Sequence, residues 1–420
     1  MGAIAVIGAG VIGRTLALEL ASDGHEVLLV APEAEPHMAS TGNAAIIADY
    51  AIDPVATPQV LRSLPSMLVD PLGPLAIHRP SAPRLTPWLA RFAWQCLPAN
   101  ARRNRQALLP LLAGTGADWV ALAGRIGAGD LFRRRGALYA FETAQACDAA
   151  RPGLARSRLH GIDAAMIDAA TLEMLEPGLP RGRFGGAVHY PSTLSLDDPA
   201  QMLDRIGAAG TARGVLRIDA RVSGLRRTRH GWHLTLSGEP PVEVAQIVIT
   251  AGAWSGQLAR LIGCKIPLDT ERGYHLEFDL ADRAIPLTRP ICPERFGFYL
   301  TPLSGRLRAA GTVELGGRDS APSPARWGRI EQGARSILPD LPPVSRRWMG
   351  LRPSLPDSLP VIGAAGPGAP GAWLAFGHGH LGLTLAPRTA SLLSALIAGR
   401  APPLDPAPYG PARFRAGLAW

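Results

Sequence analysis

Residues 3–13, "AIAVIGAGVIG", restrict the fold of this chain more than any other stretch. An apolar run that stops at GxGxxG and continues into a helical pattern has few structural solutions, because each glycine meets a separate steric demand. Gly8 permits a tight turn, Gly10 lets a pyrophosphate approach the backbone, and Gly13 lets the helix pack closely on the strand. Val11 and Ile12 open that helix, whose N-terminus faces the phosphates. Residues 11–23 set Leu16 and Leu20 on one helical face, and 26–30 ("EVLLV") read as a second buried strand. Together they form a strand–helix–strand nucleotide-binding unit. One position breaks the pattern: about 20 residues past the glycines an acid is expected to hold a ribose hydroxyl, and Ala31 stands there instead. Glu33, beyond Pro32, is the candidate replacement and Glu35 a weaker one; the alternative for both is a solvated turn.

Composition narrows the remaining choices. A chain of 420 residues, 47% hydrophobic, buries a large core and is long enough for two or three lobes. The formal charge of +9 carries little weight as a sign of nucleic acid, because Lys265 is the only lysine and an arginine-, alanine-, glycine- and proline-rich chain reflects codon bias. Runs such as Arg133–Arg135 and Arg226–Arg227 read as solvated faces. No GK[ST] exists for a P-loop, and a pyridoxal enzyme would have to use Lys265 in "GCKIP". Cys96, Cys147, Cys264 and Cys292 lack metal-type spacing and read as reduced, buried residues. No run reaches the roughly 18 apolar residues of a spanning helix, and the N-terminus lacks a basic leader. The expected location is cytoplasmic, with the inner membrane face as an option: "RLTPWLARFAWQCL" (84–97) sets Trp88, Phe92 and Trp94 beside arginines, although such aromatics serve a core equally well.

Along the chain, 50–190 is irregular and proline-rich, with helical stretches near 85–96, 102–126 and 199–209 following the same pattern. Strands are expected at 216–223 and 231–236, and "AQIVIT" (245–250) is a buried strand that returns to the nucleotide-binding unit. A β-rich section covers 270–316, and "TLAPRTASLLSALI" forms an apolar helix near the end.

The tail carries "GLRPSLPDSLPVIG" (350–363) and "FGHGHLGLTLAP" (376–387). With the GxGxxG, "STGNAA" (40–45) and "ITAGAWSG" (249–256), they make nearly the whole chain resemble FAD-dependent amino-acid oxidoreductases of the D-amino acid dehydrogenase and glycine oxidase type. "SxGNAxxIADYA" and "GHGHLGLTLAP" look most like D-hydroxyproline dehydrogenases. An NAD-dependent dehydrogenase would share the glycine turn but not the C-terminal pair. The resemblance implies an α/β fold: a Rossmann-like FAD-binding domain (1–50, 195–262 and 345–420) and a second α+β substrate domain (51–194 and 263–344) built around an antiparallel sheet. It implies flavin contacts from Ser40, Asn43 and Ala44, an adenine neighbour in Val222, and cofactor contacts from Ala251 and Gly252. Backbone groups of Gly379, His380, Leu381, Gly382, Leu383 and Thr384 would face the flavin, where a helix N-terminus suits the negative charge of its reduced form.

Arg352, in the "GLRP" of the glycine oxidase pattern, is the expected anchor for the substrate carboxylate; the alternative is a salt bridge with Asp357. His378 and His380 either line the site, contact the flavin or cap the loop, with His380 favoured as site-lining. Tyr274, His275 and Tyr299 fall on strands that would face the substrate, core packing being the alternative. The implied reaction is oxidative deamination of a D-amino acid, with a cyclic one such as D-hydroxyproline or D-proline as an option, by hydride transfer from Cα to flavin N5. The electron acceptor would be a quinone, a protein or oxygen, and a glycine- or sarcosine-type oxidase or a flavin-carrying subunit of a hetero-oligomer are the neighbouring readings.

Overall fold

The computed structural model describes residues 2–70, 73 and 75–414. Ile4–Ile7 lies inside a six-stranded sheet with the order 216–218, 27–30, 4–7, 246–249, 372–376, 361–364. Its first five strands are parallel, and Val361–Ala364 closes the edge antiparallel to Ala372–Phe376. Parallel strands are covered on both faces, which is why "AIAVI" and "QIVI" are continuous apolar runs without alternation. The helix Val11–Ser22 and the last helix, Gly382–Ile397, cover one face through Leu16, Leu20, Leu385 and Leu392. A three-stranded sheet (222–227, 232–236, 242–244) and the short helix Ser255–Leu261 cover the other. The expected strand over 216–223 is two strands in two sheets, separated at 219–221.

A nine-stranded mixed sheet forms the second layer. Val344–Ser354 is its edge, followed by Asp269–Asp279, Arg306–Leu315 and Phe298–Leu303, all antiparallel neighbours. Side chains alternate across the pleat: Met349, Leu351, Tyr274, Leu276, Phe298 and Leu300 enter a core under the helix Pro324–Ile337. The opposite face turns toward the nucleotide-binding unit. There Arg308, 2% exposed, donates to the carbonyls of Thr41 (3.1 Å) and Asn43 (2.7 Å) and is paired with Glu277 at 2.6 Å.

Two segments depart from the division expected above. Residues 345–354 fall in the expected FAD-binding unit, but the strand Val344–Ser354 pairs with Asp269–Asp279 and so belongs to the second sheet. The stretch 102–126, assigned to the second lobe, is two helices, Pro98–Leu112 and Thr115–Ile126, hinged at Gly114 (φ 77°). They pack on the last helix and bury Leu108, Leu111, Trp119 and Leu122 in the first core, because an apolar stripe follows whichever surface covers it. By length and composition alone 98–126 is apolar enough to cross a membrane, among the described residues. Trp88 and Phe92 are buried and stacked at 5.2 Å, whereas Trp94 is 47% exposed. Met1 and residues 415–420, within the first expected domain, lie outside the described residues.

A Cβ at Gly13 would stand 1.8 Å from the carbonyl oxygen of Gly8, a backbone atom that cannot rotate away. Gly13→Ala is therefore expected to destabilise the apoprotein by about 1–3 kcal/mol, read as a lower urea midpoint; an unchanged midpoint contradicts this packing.

Candidate active site

A cavity of about 490 Å³ runs between the two sheets, from the glycine turn at one end to Arg352 at the other. Its walls come from the glycine turn, from 30–43, from 250–254 and from 348–353 and 375–383, segments far apart in sequence. Gly8 adopts φ 116°, and a Cβ there would meet the Thr250 carbonyl oxygen at 2.6 Å. Gly10 is different: a Cβ would find only Ser40 Oγ, at 3.1 Å, so its bareness opens the cavity rather than relieving a clash. Gly10 caps the helix without any side-chain hydrogen bond, and the first turn carries no acid. Val11 N–H donates to Ser40 Oγ at 3.0 Å, which ties the 40–43 segment to the helix start. These features suit an extended dinucleotide with its diphosphate at that helix, and they fit FAD.

Most of the expected cofactor residues meet at this wall: Gly8, Gly10, Val11, Ile12, Ser40, Asn43, Val222, Ala251, Gly252, Gly379, His380, Gly382 and Leu383. Gly13, Ala44, Leu381 and Thr384 stand behind it. Ala44 accepts a hydrogen bond from Thr301 at 2.9 Å, Leu381 is buried in the first core, and Thr384 Oγ1 accepts Ala48 N–H at 2.9 Å. Asn43 spends its side chain on its own turn, bonding Ser40 O and Ala45 N, both at 2.8 Å. At the nucleotide end Glu33 and Glu35 both line the cavity beside Ala31. Glu35 is held by Arg221 at 3.1 Å. Arg14, Arg217 and Arg221 also line this end, and no sequence motif marked them.

At the far end the pleat decides which side chains face the cavity. Trp348, Gly350 and Arg352 alternate with the core residues Met349 and Leu351. Arg352 Nη1 donates to Thr312 O at 2.9 Å, and its guanidinium lies over Gly273, where a Cβ would be 2.3 Å from Nη2. Among the described residues it makes no ion pair, and Asp357, the partner considered from sequence, is bound to Arg413 at 2.8 Å. Burial lowers the pKa of Arg352, opposed by the charge of Glu271, its register partner on the neighbouring strand. Glu271 is 4% exposed, its Oε2 has no hydrogen-bond partner among the described residues, and burial raises its pKa. His380 is open to the cavity rather than enclosed in the core; desolvation and then Arg352 push its pKa down to about 4. His378 is buried, with Nε2 at 3.0 Å from Thr389 Oγ1.

Three expected substrate contacts need correction. Tyr274 points away from the cavity, because its position on the strand has the parity of the core face; its hydroxyl donates to Glu314 at 2.7 Å and accepts Ser323 N–H at 3.1 Å. His275 has the opposite parity but lies behind Trp348, stacked on it at 4.8 Å, with Nδ1 2.9 Å from Gly42 O. Tyr299 shares the cavity-side face of the sheet but not the cavity wall; its hydroxyl meets that of Tyr50 at 2.7 Å, and Tyr50 stacks on Tyr190 at 4.1 Å. Trp348, Gly350 and Gly273 went unmarked, although counting every second residue back from Arg352 reaches Gly350 and Trp348.

Comparison with known proteins agrees with this geometry. The family model described as FAD dependent oxidoreductase matches residues 3–396. A D-amino-acid oxidase of Bradyrhizobium diazoefficiens is 33% identical over 429 residues, covering 98% of each chain. D-amino acid dehydrogenase 2 of Mesorhizobium japonicum is 29% identical over 411 residues, covering 96% of this chain and 98% of its own. Among solved structures, glycine oxidase from Geobacillus kaustophilus aligns with a TM-score of 0.77 at 20% identity, covering 98% of both chains. Iminodiacetate oxidase from Chelativorans sp. BNC1 gives 0.75 at 21% identity, covering 97% and 98%. These structural likenesses speak for the fold.

Burial lowers the pKa of both His275 and His378 to about 3. The unfolded chain takes up these protons near pH 6.5, so between that pH and 3 it binds more protons than the folded chain, and acid favours unfolding. Stability is fully present above pH 6.5 and falls on acidification, by about 2 kcal/mol per histidine at pH 5. Thermal melts between pH 7.5 and 5 check this: the melting temperature drops in wild type and drops less in His378→Gln, whereas equal slopes contradict it.

Proposed function

The chain belongs to the FAD-dependent oxidoreductase family and FAD is its cofactor; from that premise we propose that it oxidises the Cα–N bond of a D-amino acid to the imine. The observation that carries the reading is Arg352, a half-buried guanidinium at the cavity wall with one carbonyl partner and no ion pair among the described residues. Two of its nitrogens remain for a carboxylate, and a planar fork fixes the direction of Cα–H as well as the strength of binding. Thr312 O holds the fork in place, and Gly273 lets it lie flat against the sheet. His380, with its low pKa, stays neutral at pH 7 and leaves the carboxylate to Arg352.

FAD, when bound, supplies the hydride acceptor. The chain supplies position: the diphosphate end is set by the helix at Val11, and the start of Gly382–Ile397 presents N–H groups without a side-chain cap. Once the amine is deprotonated and the carboxylate anchored, the reaction needs orientation rather than a strong base. The D preference follows the names of the relatives at 33% and 29% identity, one a D-amino-acid oxidase and the other a D-amino acid dehydrogenase. A cyclic substrate such as D-hydroxyproline or D-proline fits the same reaction and would leave as a cyclic imine.

The test is the visible spectrum of the FAD-loaded protein, taken anaerobically before and after D-amino acids, their L forms, D-hydroxyproline and sarcosine. Bleaching by a D substrate is expected, and Arg352→Ala requires roughly 100-fold more substrate, the loss of one charge-assisted bidentate partner. Re-oxidation on admitting air, with peroxide formed, identifies oxygen as acceptor. A protein that stays colourless after incubation with FAD, or bleaches equally in the alanine variant, overturns the reading.

A further inference from the structure

The floor of the cavity beside Arg352 is built on a pair of glycines. Gly273 and Gly350 are register partners on adjacent antiparallel strands, and both line the cavity. Paired Cα atoms in such strands are about 4.5–5.5 Å apart. The space their missing side chains leave is already taken: the Arg352 guanidinium lies over Gly273, and a Cβ on Gly350 would stand 1.9 Å from Trp348 Cη2. The benzo end of the indole and the guanidinium are therefore neighbours on one floor, although four residues separate them along the strand.

Trp348 is also fixed. Its Nε1 donates to Pro36 O at 2.8 Å, His275 stacks on it with an interplanar angle of 19°, and a Cβ on Gly42 would be 2.4 Å from the ring. An indole held in this way keeps one position, so it selects by contact and by exclusion rather than by adapting. Among the described residues the ionisable side chains that line this end of the cavity are Arg352, His378 and His380, while the lining carboxylates Glu33 and Glu35 sit beside Ala31; with Arg352 taken by the substrate carboxylate, no counterion is left for a charged side chain over the Gly273–Gly350 pair.

We propose that Trp348 is the specificity-determining residue of the site: with the carboxylate on Arg352, the substrate's side chain rests against the benzo edge of the indole over the Gly273–Gly350 pair. This selects amino acids with uncharged, apolar side chains, open-chain or ring. The inference rests on the carboxylate role of Arg352, and it is tested without turnover.

Acetate, propanoate and butanoate carry the carboxylate but no amine to oxidise, and their binding to FAD-loaded protein is read from the flavin absorbance. Wild type is expected to tighten two- to fourfold per added methylene, the upper value corresponding to ~0.8 kcal/mol for a fully buried group. Trp348→Ala loses that gradient while still binding acetate, and Trp348→Phe retains part of it; flavin content equal to wild type certifies each fold. A gradient that survives in Trp348→Ala, or an absence of gradient in wild type with binding intact, overturns the inference alone. No binding of any carboxylate to wild type overturns the Arg352 role and this inference together.

Discussion

The buried pair of Arg308 and Glu277 fixes how the two sheets meet. Arg308 reaches out of the second sheet to the carbonyls of Thr41 and Asn43, and Glu277, 5% exposed, balances its charge at 2.6 Å. Such a pair adds little net stability, because both charges lose their water. Its effect is geometric: carbonyl acceptors at 3.1 and 2.7 Å leave the 41–43 segment one position relative to the sheet. That segment continues into Ser40, which binds the first N–H of the glycine-turn helix, and includes Gly42, against which Trp348 lies. One interaction thus relates the diphosphate end to the carboxylate end.

Glycines do two different jobs along the cavity. At Gly8 and Gly13 a Cβ would strike backbone, so these residues are demanded by the chain itself. At Gly273 and Gly350 a Cβ would strike the side chains of Arg352 and Trp348, so these residues are demanded by what lies on top of them. The first kind announces itself as a motif because its neighbours are close in sequence. The second kind is visible only once two strands are paired.

Legibility followed the same line. The glycine turn, its strands, the returning strand at 246–249 and the last helix were readable, since each rests on local periodicity or on a compact motif. Arg352 was readable through the "GLRP" resemblance, and the structure adds why it is available: Asp357 is committed to Arg413. Tyr274 and Tyr299 were not separable by sequence, because both lie on alternating strands and only the placement of the two layers says which parity is the cavity side. The helices at 98–126 misled for a related reason, as their apolar stripes would suit either lobe.

By itself the sequence determined the nucleotide-binding unit, the sites where glycine is obligatory for the backbone, and the resemblance that names the cofactor. All of these depend on residues within a turn or two of one another, where spacing translates directly into geometry. Only the tertiary structure decided that Trp348 and Arg352 share a floor, that Tyr274 belongs to the core, and that Ala31 sits in a cavity wall also lined by Glu33, Glu35, Arg14, Arg217 and Arg221. Those outcomes depend on strand register and on which sheet face meets the cofactor, and a one-residue change in register reverses every such assignment.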